Sequence, residues 1–347
     1  MNTKIKFLTL TMITLFLTGN LVTAEEKTKE FHENWSVSEI KSLDISNRFG
    51  EVKVVNEGGS DITIDVVVTV DASTENAADK LLDMIDVSFS KSGSTLKAET
   101  TIDNDFKSQK KFSIDYTINV PPDKNLSISN KYGTTFVNKL NANGDFNIDY
   151  GNFSANDLQT PENGSMKLNL AYGNASIDNA SDLDVDVSYS PISIDNVKTL
   201  KLNSKYSQIT IDVAGTVVSD SKYDHYTLDK IESLESTTKY SHIDIDKLAK
   251  NLKVETGYGS VKVDDVAPDF ESISITNSYG QISLGLGDAS YSVDASCQYC
   301  GISYPENDFK GNKMKDNNTR EINGNVGNGN GGTVTVKSRY GDIKLKD

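Results

Sequence analysis

The sequence predicts an all-β protein: a single-stranded parallel β-helix, or β-solenoid, of about twelve rungs with a small strand-and-helix cap at its N-terminal end. Two observations support this prediction. A tyrosine recurs at short intervals, and the four intervals from Tyr172 to Tyr240 are each 17 residues long. Apolar and polar residues also alternate on both sides of each tyrosine. A short fixed period of this kind is typical of solenoids, in which each rung is covered by its neighbours.

The repeated unit is clearest when the segments are aligned on their aromatic residue. In Leu200–Asp212 (LKLNSKYSQITID) and Leu252–Asp264 (LKVETGYGSVKVD), apolar residues occupy every second position, as in a strand with one buried face. The apolar positions change parity across the tyrosine, which predicts a bend there. One aromatic residue marks each rung: Phe49, Tyr132, Tyr150, Tyr172, Tyr189, Tyr206, Tyr223, Tyr240, Tyr258, Tyr279, Tyr299 and Tyr340.

Glycine follows the tyrosine in six rungs, for example at Gly133 and Gly173. A corner that needs relaxed backbone angles would favour glycine at this place. A sandwich built from β-hairpins is the competing all-β architecture. It would need turn pairs of the Asn-Gly kind at hairpin spacing, and a constant 17-residue period fits it poorly.

The N-terminal segment predicts export. Residues 1–24 contain Lys4 and Lys6, then an apolar run, then a small-residue cleavage site that ends at Ala24, the pattern of a secretory signal peptide. The apolar run is short for a membrane span, and no later stretch could cross a bilayer. We therefore expect an exported protein, periplasmic, at the cell surface or secreted, with no transmembrane segment in the mature chain.

The mature chain is predicted to divide into a cap and a solenoid. Residues 25–125 hold the first rung and a capping unit with a helix at 75–85, which Ser73 or Thr74 could cap. Such a unit would cover the unpaired strand edges at one end. Residues 126–347 hold the solenoid. The stretch at 304–332, rich in Asn, Gly, Lys and Asp, predicts a mobile loop before one last rung.

The charge balance limits the partners. Fifty acidic residues against 35 basic ones give a net charge of −15 at pH 7. This argues against nucleic acid, because phosphate binding needs clustered Lys and Arg.

A family resemblance rests on three features. A β-rich segment with a short helix is followed by VPPDKNLSISNKYGTTFV at 120–137 and by Tyr-Gly rungs that end in GGTVTVKSRYGDIKL at 331–345. In these features, from about Val37 to Lys346, the chain resembles the bacterial putative-adhesin domain family and its auto-transporter-adhesin-head relatives. The resemblance implies a β-solenoid on an exported bacterial protein, a suggested role in adhesion, and no catalytic residues.

The tyrosines themselves are the first candidate site. Exposed aromatic platforms can bind sugars, but the parity places these rings on the side of the buried aliphatic residues. Small or polar residues two positions earlier, such as Asn130 and Ser204, would leave room for them. We therefore expect a structural ladder of rings stacked in the core.

A row of aspartates is the second candidate. If the rungs stack in register, unit charges about 4.8 Å apart repel by about 0.9 kcal/mol per pair in water. Solvent, lysines or bound calcium could relieve this repulsion, although the glycine-rich calcium motif is absent and aspartate also commonly ends a strand at a turn. The sequence leaves open whether these aspartates bind calcium or only end their strands, and no other cofactor is expected. The six residues, each six positions after its tyrosine, are Asp178, Asp195, Asp212, Asp229, Asp246 and Asp264.

Two smaller constellations remain. His225 and His242 each follow a tyrosine by two positions and could share a transition metal. Because only these two ligands are evident, exposed residues of the ladder are the favoured interpretation. Cys297 and Cys300 flank Tyr299 and favour a local disulfide in an exported chain. A redox Cys-x-x-Cys site would need a helix start in a βαβ context, which is absent.

Two function classes follow. The favoured one is a non-enzymatic adhesin-like binding or structural module that presents repetitive faces to a glycan, matrix or cell-envelope partner, with Ser176, Ser193, Thr210 and Thr227 as one outward row. The alternative is a lyase-like, calcium-assisted polysaccharide enzyme, since β-helices also host these. That enzyme would need a cleft with clustered Asp, Arg and Lys, whereas arginine occurs only at positions 48, 320 and 339.

Overall fold

A computed structural model describes residues 25–108 and 110–347. The predicted signal peptide at 1–24 lies outside the described residues. Within them, strands dominate, joined by one α-helix and a short 3₁₀ turn at Val37–Glu39.

The N-terminal unit consists of seven strands and a helix. In chain order these are β1 (Glu25–Ser36), β2 (Ser42–Arg48), β3 (Val52–Val55), β4 (Asp61–Ala72), α1 (Glu75–Asp83), β5 (Ile85–Ser92), β6 (Thr95–Ile102) and β7 (Phe112–Asn119). Strands β2 and β3 pair in parallel with β6 and β7. Beyond these, β5 joins β6, β4 joins β7 and β1 joins β4, all antiparallel. The predicted strand-and-helix cap over the N-terminal end is therefore confirmed.

Helix α1 lies where apolar residues recur at helical spacing. The Thr74 hydroxyl accepts the N–H of Ala77 at 3.3 Å, which caps the first turn. Ala78 and Leu82 are buried against the cap. The helix ends at Asp83, two residues before the predicted end, because Ile85 already begins the buried strand β5.

Thirteen strands form the body of the solenoid. They are β8 (Asn125–Lys131), β9 (Thr134–Leu140), β10 (Gly144–Asp149), β11 (Asn152–Leu158), β12 (Met166–Ala171), β13 (Asn174–Ser188), β14 (Ile192–Lys205), β15 (Gln208–Lys222), β16 (His225–Lys239), β17 (His242–Gly257), β18 (Val261–Val266), β19 (Ser272–Ser278) and β20 (Ile282–Gly285).

Successive rungs pair in parallel, in register. Ile192 in β14 lies beside Ile209 in β15, and Lys205 lies beside Lys222. Both pairs are 17 residues apart, so the interval between tyrosines is the length of one rung. The predicted parallel β-solenoid is thereby confirmed.

The rung from Ile192 to Gln208 shows how the core forms. Two successive outward residues occur at 195–196, 198–199 and 205–206. Because a strand alternates its side chains, each such pair marks a corner where the parity changes. Burying each aliphatic side chain stabilises the fold by roughly 1.5–3 kcal/mol. The buried aliphatic residues of this rung are Ile192, Ile194, Val197, Leu200 and Leu202.

The C-terminal end has a topology that the repeat does not predict. Its strands are β21 (Tyr291–Gln298), β22 (Ile302–Ser303), β23 (Phe309–Asp316), β24 (Thr319–Val326), β25 (Thr333–Arg339) and β26 (Ile343–Lys346). Strand β25 lies between β19 and β21, and β26 lies between β20 and β22, all in parallel. The last rung of the sequence, β25 and β26, thus lies between the rung β19–β20 and the rung β21–β22, although it follows both along the chain.

The prediction of a mobile loop at 304–332 is wrong. Strands β23 and β24 form an antiparallel hairpin, and β24 pairs with the outer edge of β21. Phe309, Ile322 and Val326 join the hydrophobic core and fix the hairpin in place. The hairpin covers the strand edge that would otherwise be open at this end of the solenoid.

Candidate functional site

The twelve aromatic residues form one continuous column along a corner of the solenoid. Adjacent ring centroids are 4.7 to 5.2 Å apart and adjacent ring planes differ by 1° to 21°. The column runs from Phe49 in chain order as far as Tyr279 and ends with Tyr340 and then Tyr299. At the N-terminal end, Phe112 of the cap packs on Phe49 at 5.0 Å. We call this row the aromatic column.

The prediction that these rings are buried is wrong. The eleven tyrosines are 42% to 51% exposed. All twelve aromatic residues have φ between 52° and 63°, in the left-handed region. The bend lies at the aromatic residue itself, so its side chain turns outward together with that of the preceding residue, as at Lys205 and Tyr206.

A left-handed conformation costs a non-glycine residue about 1–2 kcal/mol. Two contacts hold the corner in spite of this cost. Each interior ring stacks on two neighbours, and an aromatic pair contributes about 0.5–1.5 kcal/mol. The N–H of Tyr206 also donates to the carbonyl of Lys222 in the next rung at 3.1 Å, and Tyr223 donates likewise to Lys239 at 3.0 Å.

The glycine after the tyrosine has a different role from the predicted one. Gly173 does not have a positive φ. A Cβ atom there would instead lie 1.7 Å from the carbonyl oxygen of Gly151 in the previous rung. Glycine is needed because two backbones approach closely.

Four rungs replace this glycine with a buried hydrogen-bonding side chain, at Ser190, Ser207, Asp224 and Ser241. Each side-chain oxygen accepts an N–H of the previous rung: Gly173 to Ser190 at 3.0 Å, Ser190 to Ser207 at 3.4 Å, Ser207 to Asp224 at 2.7 Å and Asp224 to Ser241 at 3.1 Å. This ladder joins the rungs just inside the aromatic column.

Stacking determines what the aromatic column can bind. The faces of the interior rings are covered by neighbouring rings, so a sugar has no free face on which to stack. The ring edges and the phenolic hydroxyls stay accessible. Each hydroxyl can donate and accept a hydrogen bond, and one is present every ~4.8 Å, the strand spacing.

The aspartates also form a column, at the first corner after the tyrosine. The pairs Ile211–Leu228 and Val213–Lys230 on either side place Asp212 beside Asp229. Lys230 lies 3.4 Å from Asp229, and Lys262 lies 2.6 Å from Asp264. Five of the six carboxylates are exposed and Asp229 is partly so. No three His, Cys, Asp or Glu residues in 25–108 and 110–347 come together closely enough to hold a metal ion. The calcium ladder stays a prediction.

The two histidines lie side by side. The ring centroids of His225 and His242 are 6.3 Å apart. Nε2 of His225 is 3.8 Å from Asp244, and Nδ1 of His242 is 2.8 Å from the Ser260 hydroxyl. A shared metal has no third ligand in the described residues.

The structure joins Cys297 and Cys300 in a disulfide, with their α-carbons 5.5 Å apart on either side of Tyr299.

The predicted outward row of hydroxyl side chains lies in register from rung to rung. It consists of Ser176, Ser193, Thr210 and Thr227.

The titratable groups most affected by burial lie inside the solenoid. Burial raises the pKa of Tyr116 to about 12, while its hydroxyl is 2.7 Å from that of Thr100. Burial also raises the pKa values of Asp224, Tyr226 and Tyr291. Asp224 accepts hydrogen bonds from the Ser204 hydroxyl and from two backbone N–H groups. These groups lie in the interior and do not face an open cleft.

Sequence reasoning missed a row of basic residues beside the aromatic column. The residue before each aromatic residue points outward, and these residues are in register from rung to rung. In spatial order they are Arg48, Lys131, Asp149, Ala171, Ser188, Lys205, Lys222, Lys239, Gly257, Ser278, Arg339 and Gln298. We call this row the basic column. The Lys-Tyr and Arg-Tyr dipeptides of the repeat could have revealed it.

No helix in the described part of the chain is long and apolar enough to cross a membrane.

No protein-family model matches the sequence, and no curated protein matches it. Solved structures do align with it. A putative cell adhesion protein from Clostridium sporogenes covers 92% of this chain and 99% of its own, with 10% identity and a TM-score of 0.22. A putative adhesin from Bacteroides fragilis covers 72% and 97%, with 14% identity and a TM-score of 0.36. A putative lipid binding protein from Parabacteroides distasonis covers 74% and 95%, with 13% identity and a TM-score of 0.31. The chain is thus similar to solved structures of bacterial proteins that are named as putative adhesins.

Proposed function

We propose that this chain is an exported, non-enzymatic, adhesin-like binding module whose repetitive faces engage a glycan, matrix or cell-envelope partner. The observation that carries the proposal is the aromatic column, in which eleven tyrosines lie in register and about half exposed. A polymer with a short repeat can make the same contact at every rung. Weak contacts repeated along one rigid surface then add up to useful avidity.

The hydroxyl groups are the part of the column that suits a glycan. They lie at the exposed edge of each ring, whereas the ring faces are used in stacking. A phenol both donates and accepts hydrogen bonds, as sugar hydroxyls require. The unstrained alternative, a corner of glycines, would keep the bend but present no such groups.

An enzyme of the polysaccharide lyase kind would need acidic and basic groups with shifted pKa values around an open cleft. In the described residues, the groups whose pKa burial raises are in the core. No observation favours the enzyme over the binding module.

The test uses the mature chain, residues 25–347, on a glycan and matrix array, with calcium and with a chelator. We expect retention on at least one polymeric ligand, and a requirement for calcium would implicate the aspartate column. Retention should fall in the triple variant Tyr206→Phe, Tyr223→Phe, Tyr240→Phe, which loses three hydroxyls and keeps the stacked rings.

The matched control removes three hydroxyls in register on another face, in Thr199→Ala, Thr216→Ala, Ser233→Ala. It should bind as the parent protein does. Absence of retention in both conditions, or equal losses in the two triple variants, would contradict the proposal.

A further inference from the structure

The basic column differs in charge from the rest of the molecule. Six of its twelve positions are Lys or Arg and one, Asp149, is acidic. The whole chain has 50 acidic and 35 basic residues. The row beside the aromatic column is therefore enriched in basic residues, while the aspartate column occupies a different corner.

The middle of the basic column is its most regular part. Lys205, Lys222 and Lys239 are successive partners in register and are exposed. In the described residues none of the three forms a salt bridge, although Lys201 and Lys230 of the same rungs do. Like charges at the strand spacing of ~4.8 Å repel one another. An anion that lies along the row would relieve this repulsion.

The flank on the other side of the tyrosines is also free of acidic residues over these rungs. Gln208, His225 and His242 occupy the outward position two residues after the tyrosine and are in register. Solvent-accessible carboxylates lie beyond the two flanks, at Asp220 before Lys222 and at Asp244, 3.8 Å from His225. The Asp224 carboxylate lies inside the solenoid, is 4% exposed and accepts the N–H of Lys222. Over three rungs the surface thus presents three rows side by side: the lysine ammonium groups, the tyrosine hydroxyls, and the amide or imidazole groups of Gln208, His225 and His242. We call this surface the strip.

We propose that this strip binds a linear acidic polysaccharide, with its carboxylate or sulfate groups on Lys205, Lys222 and Lys239 and its hydroxyls on Tyr206, Tyr223 and Tyr240. The inference rests on the proposed function and names the class of its ligand. An extended glycan fits because both its charges and its hydroxyls repeat along one direction. Single-stranded nucleic acid fits less well, because bases bind such grooves by stacking on free aromatic faces, and these faces are covered.

The experiment measures the affinity of residues 25–347 for polygalacturonate, dextran sulfate, uncharged dextran and poly(dT) at increasing salt. We expect binding to the two acidic polysaccharides that weakens with salt, as exposed charge contacts do. The variant Lys205→Gln, Lys222→Gln, Lys239→Gln should bind them about tenfold more weakly, the combined effect of three exposed charge contacts. The control Lys198→Gln, Lys230→Gln, Lys247→Gln makes the same charge change at the corners away from the tyrosines and should stay within about twofold of the parent.

Several results would overturn the inference. Equal losses in the two lysine variants would indicate general charge attraction, and tighter binding of poly(dT) would assign the strip to nucleic acid. If a neutral glycan is bound, lost with the tyrosine-to-phenylalanine variant and unaffected by the lysine variants, the proposed function holds and this inference fails. If no glycan or matrix component is retained, the proposed function fails as well.

Discussion

Tyr340 stacks on Tyr279, with ring centroids 4.8 Å apart and an interplanar angle of 16°. The next tyrosine of the sequence after Tyr279 is Tyr299, which stacks on the far side of Tyr340 at 5.0 Å. Strands β25 and β26 thus lie between the rung β19–β20 and the rung β21–β22, which are consecutive along the chain but not neighbours in space. The C-terminal end of the solenoid depends on the last residues of the chain.

Deletion of residues 333–347 tests this dependence. Strands β21 and β22 would lose their parallel partners β25 and β26, so the hairpin β23–β24 would have no rung to cover. We expect rapid proteolysis and fast hydrogen exchange across 291–326, with protection retained at 174–257. A control that lacks only Asp347, which lies beyond the end of β26, should behave as the parent does. Unchanged protection of 291–326 in the longer deletion would contradict the expectation.

The sequence predicts the parts of the fold that depend on local alternation. The period, the parallel stacking and the cap follow from residues such as Ile192 and Ile194, whose burial is periodic. The insertion of β25 does not follow, since strand order is decided by contacts between distant segments. The hairpin was missed because β23 is almost wholly exposed and polar, with Phe309 as its one buried residue.

The sequence predicts which residues form the aromatic column but not that their rings point outward. Parity counted through Tyr206 puts its ring inside, and only the left-handed φ of that residue reverses the direction. A single tyrosine rarely adopts this conformation, so the local pattern gives no warning of it. The position of the aspartates in one column follows from the length of a rung alone, and their binding of calcium stays a prediction.

Tyr206 is the place to separate backbone strain from ring stacking. Tyr206→Ala loses the stack and keeps a Cβ atom at φ 53°, whereas Tyr206→Gly loses the stack and relieves the strain. We expect the alanine variant to be destabilised by about 2 kcal/mol and the glycine variant by about 1 kcal/mol less. Thermal unfolding followed by circular dichroism would measure the difference. A glycine variant no more stable than the alanine variant would show that the corner is not strained.

Gly173 and Ser190 occupy the same place in successive rungs but should respond differently to alanine. A Cβ atom at Gly173 meets the backbone carbonyl of Gly151, which cannot move aside without displacing a strand. Gly173→Ala should therefore cost more than about 3 kcal/mol or prevent folding. Ser190→Ala loses one hydrogen bond from Gly173 N–H and one to the Ser188 carbonyl, and should cost about 1–2 kcal/mol. Denaturation midpoints of the two variants would decide, and equal costs would contradict the close-approach argument.

The pairing of Cys297 with Cys300 can be measured directly. Purified protein, unfolded without reductant, should show no thiol that reacts with an alkylating agent, and two after reduction. Because the bridge closes a very short loop, Cys297→Ser, Cys300→Ser should lower stability by no more than about 2 kcal/mol. Two reactive thiols before reduction would rule out the bridge.

Asp224 introduces a buried carboxylate where the rungs on either side have Ser207 and Ser241. The residue is 4% exposed, and burial raises the pKa of its carboxyl group above the usual value of an aspartate. Since the folded state holds the proton more tightly than the unfolded state, this group favours folding most below the usual pKa of about 4. That contribution is lost as the pH rises through the raised pKa.

Replacing Asp224 by the serine of its neighbours should therefore change the pH dependence of stability. Relative to the parent, Asp224→Ser should gain free energy of unfolding as the pH rises from about 4 to 8, because it has no buried charge to form. Serine can still accept the Ser207 N–H, as Ser207 accepts that of Ser190 at 3.4 Å. Urea unfolding at several pH values would measure the difference, with Asp220→Ser at a nearby exposed position as the control for net charge. A difference between Asp224→Ser and the parent that does not change with pH, or that falls as the pH rises, would show that the buried carboxylate does not disfavour the fold.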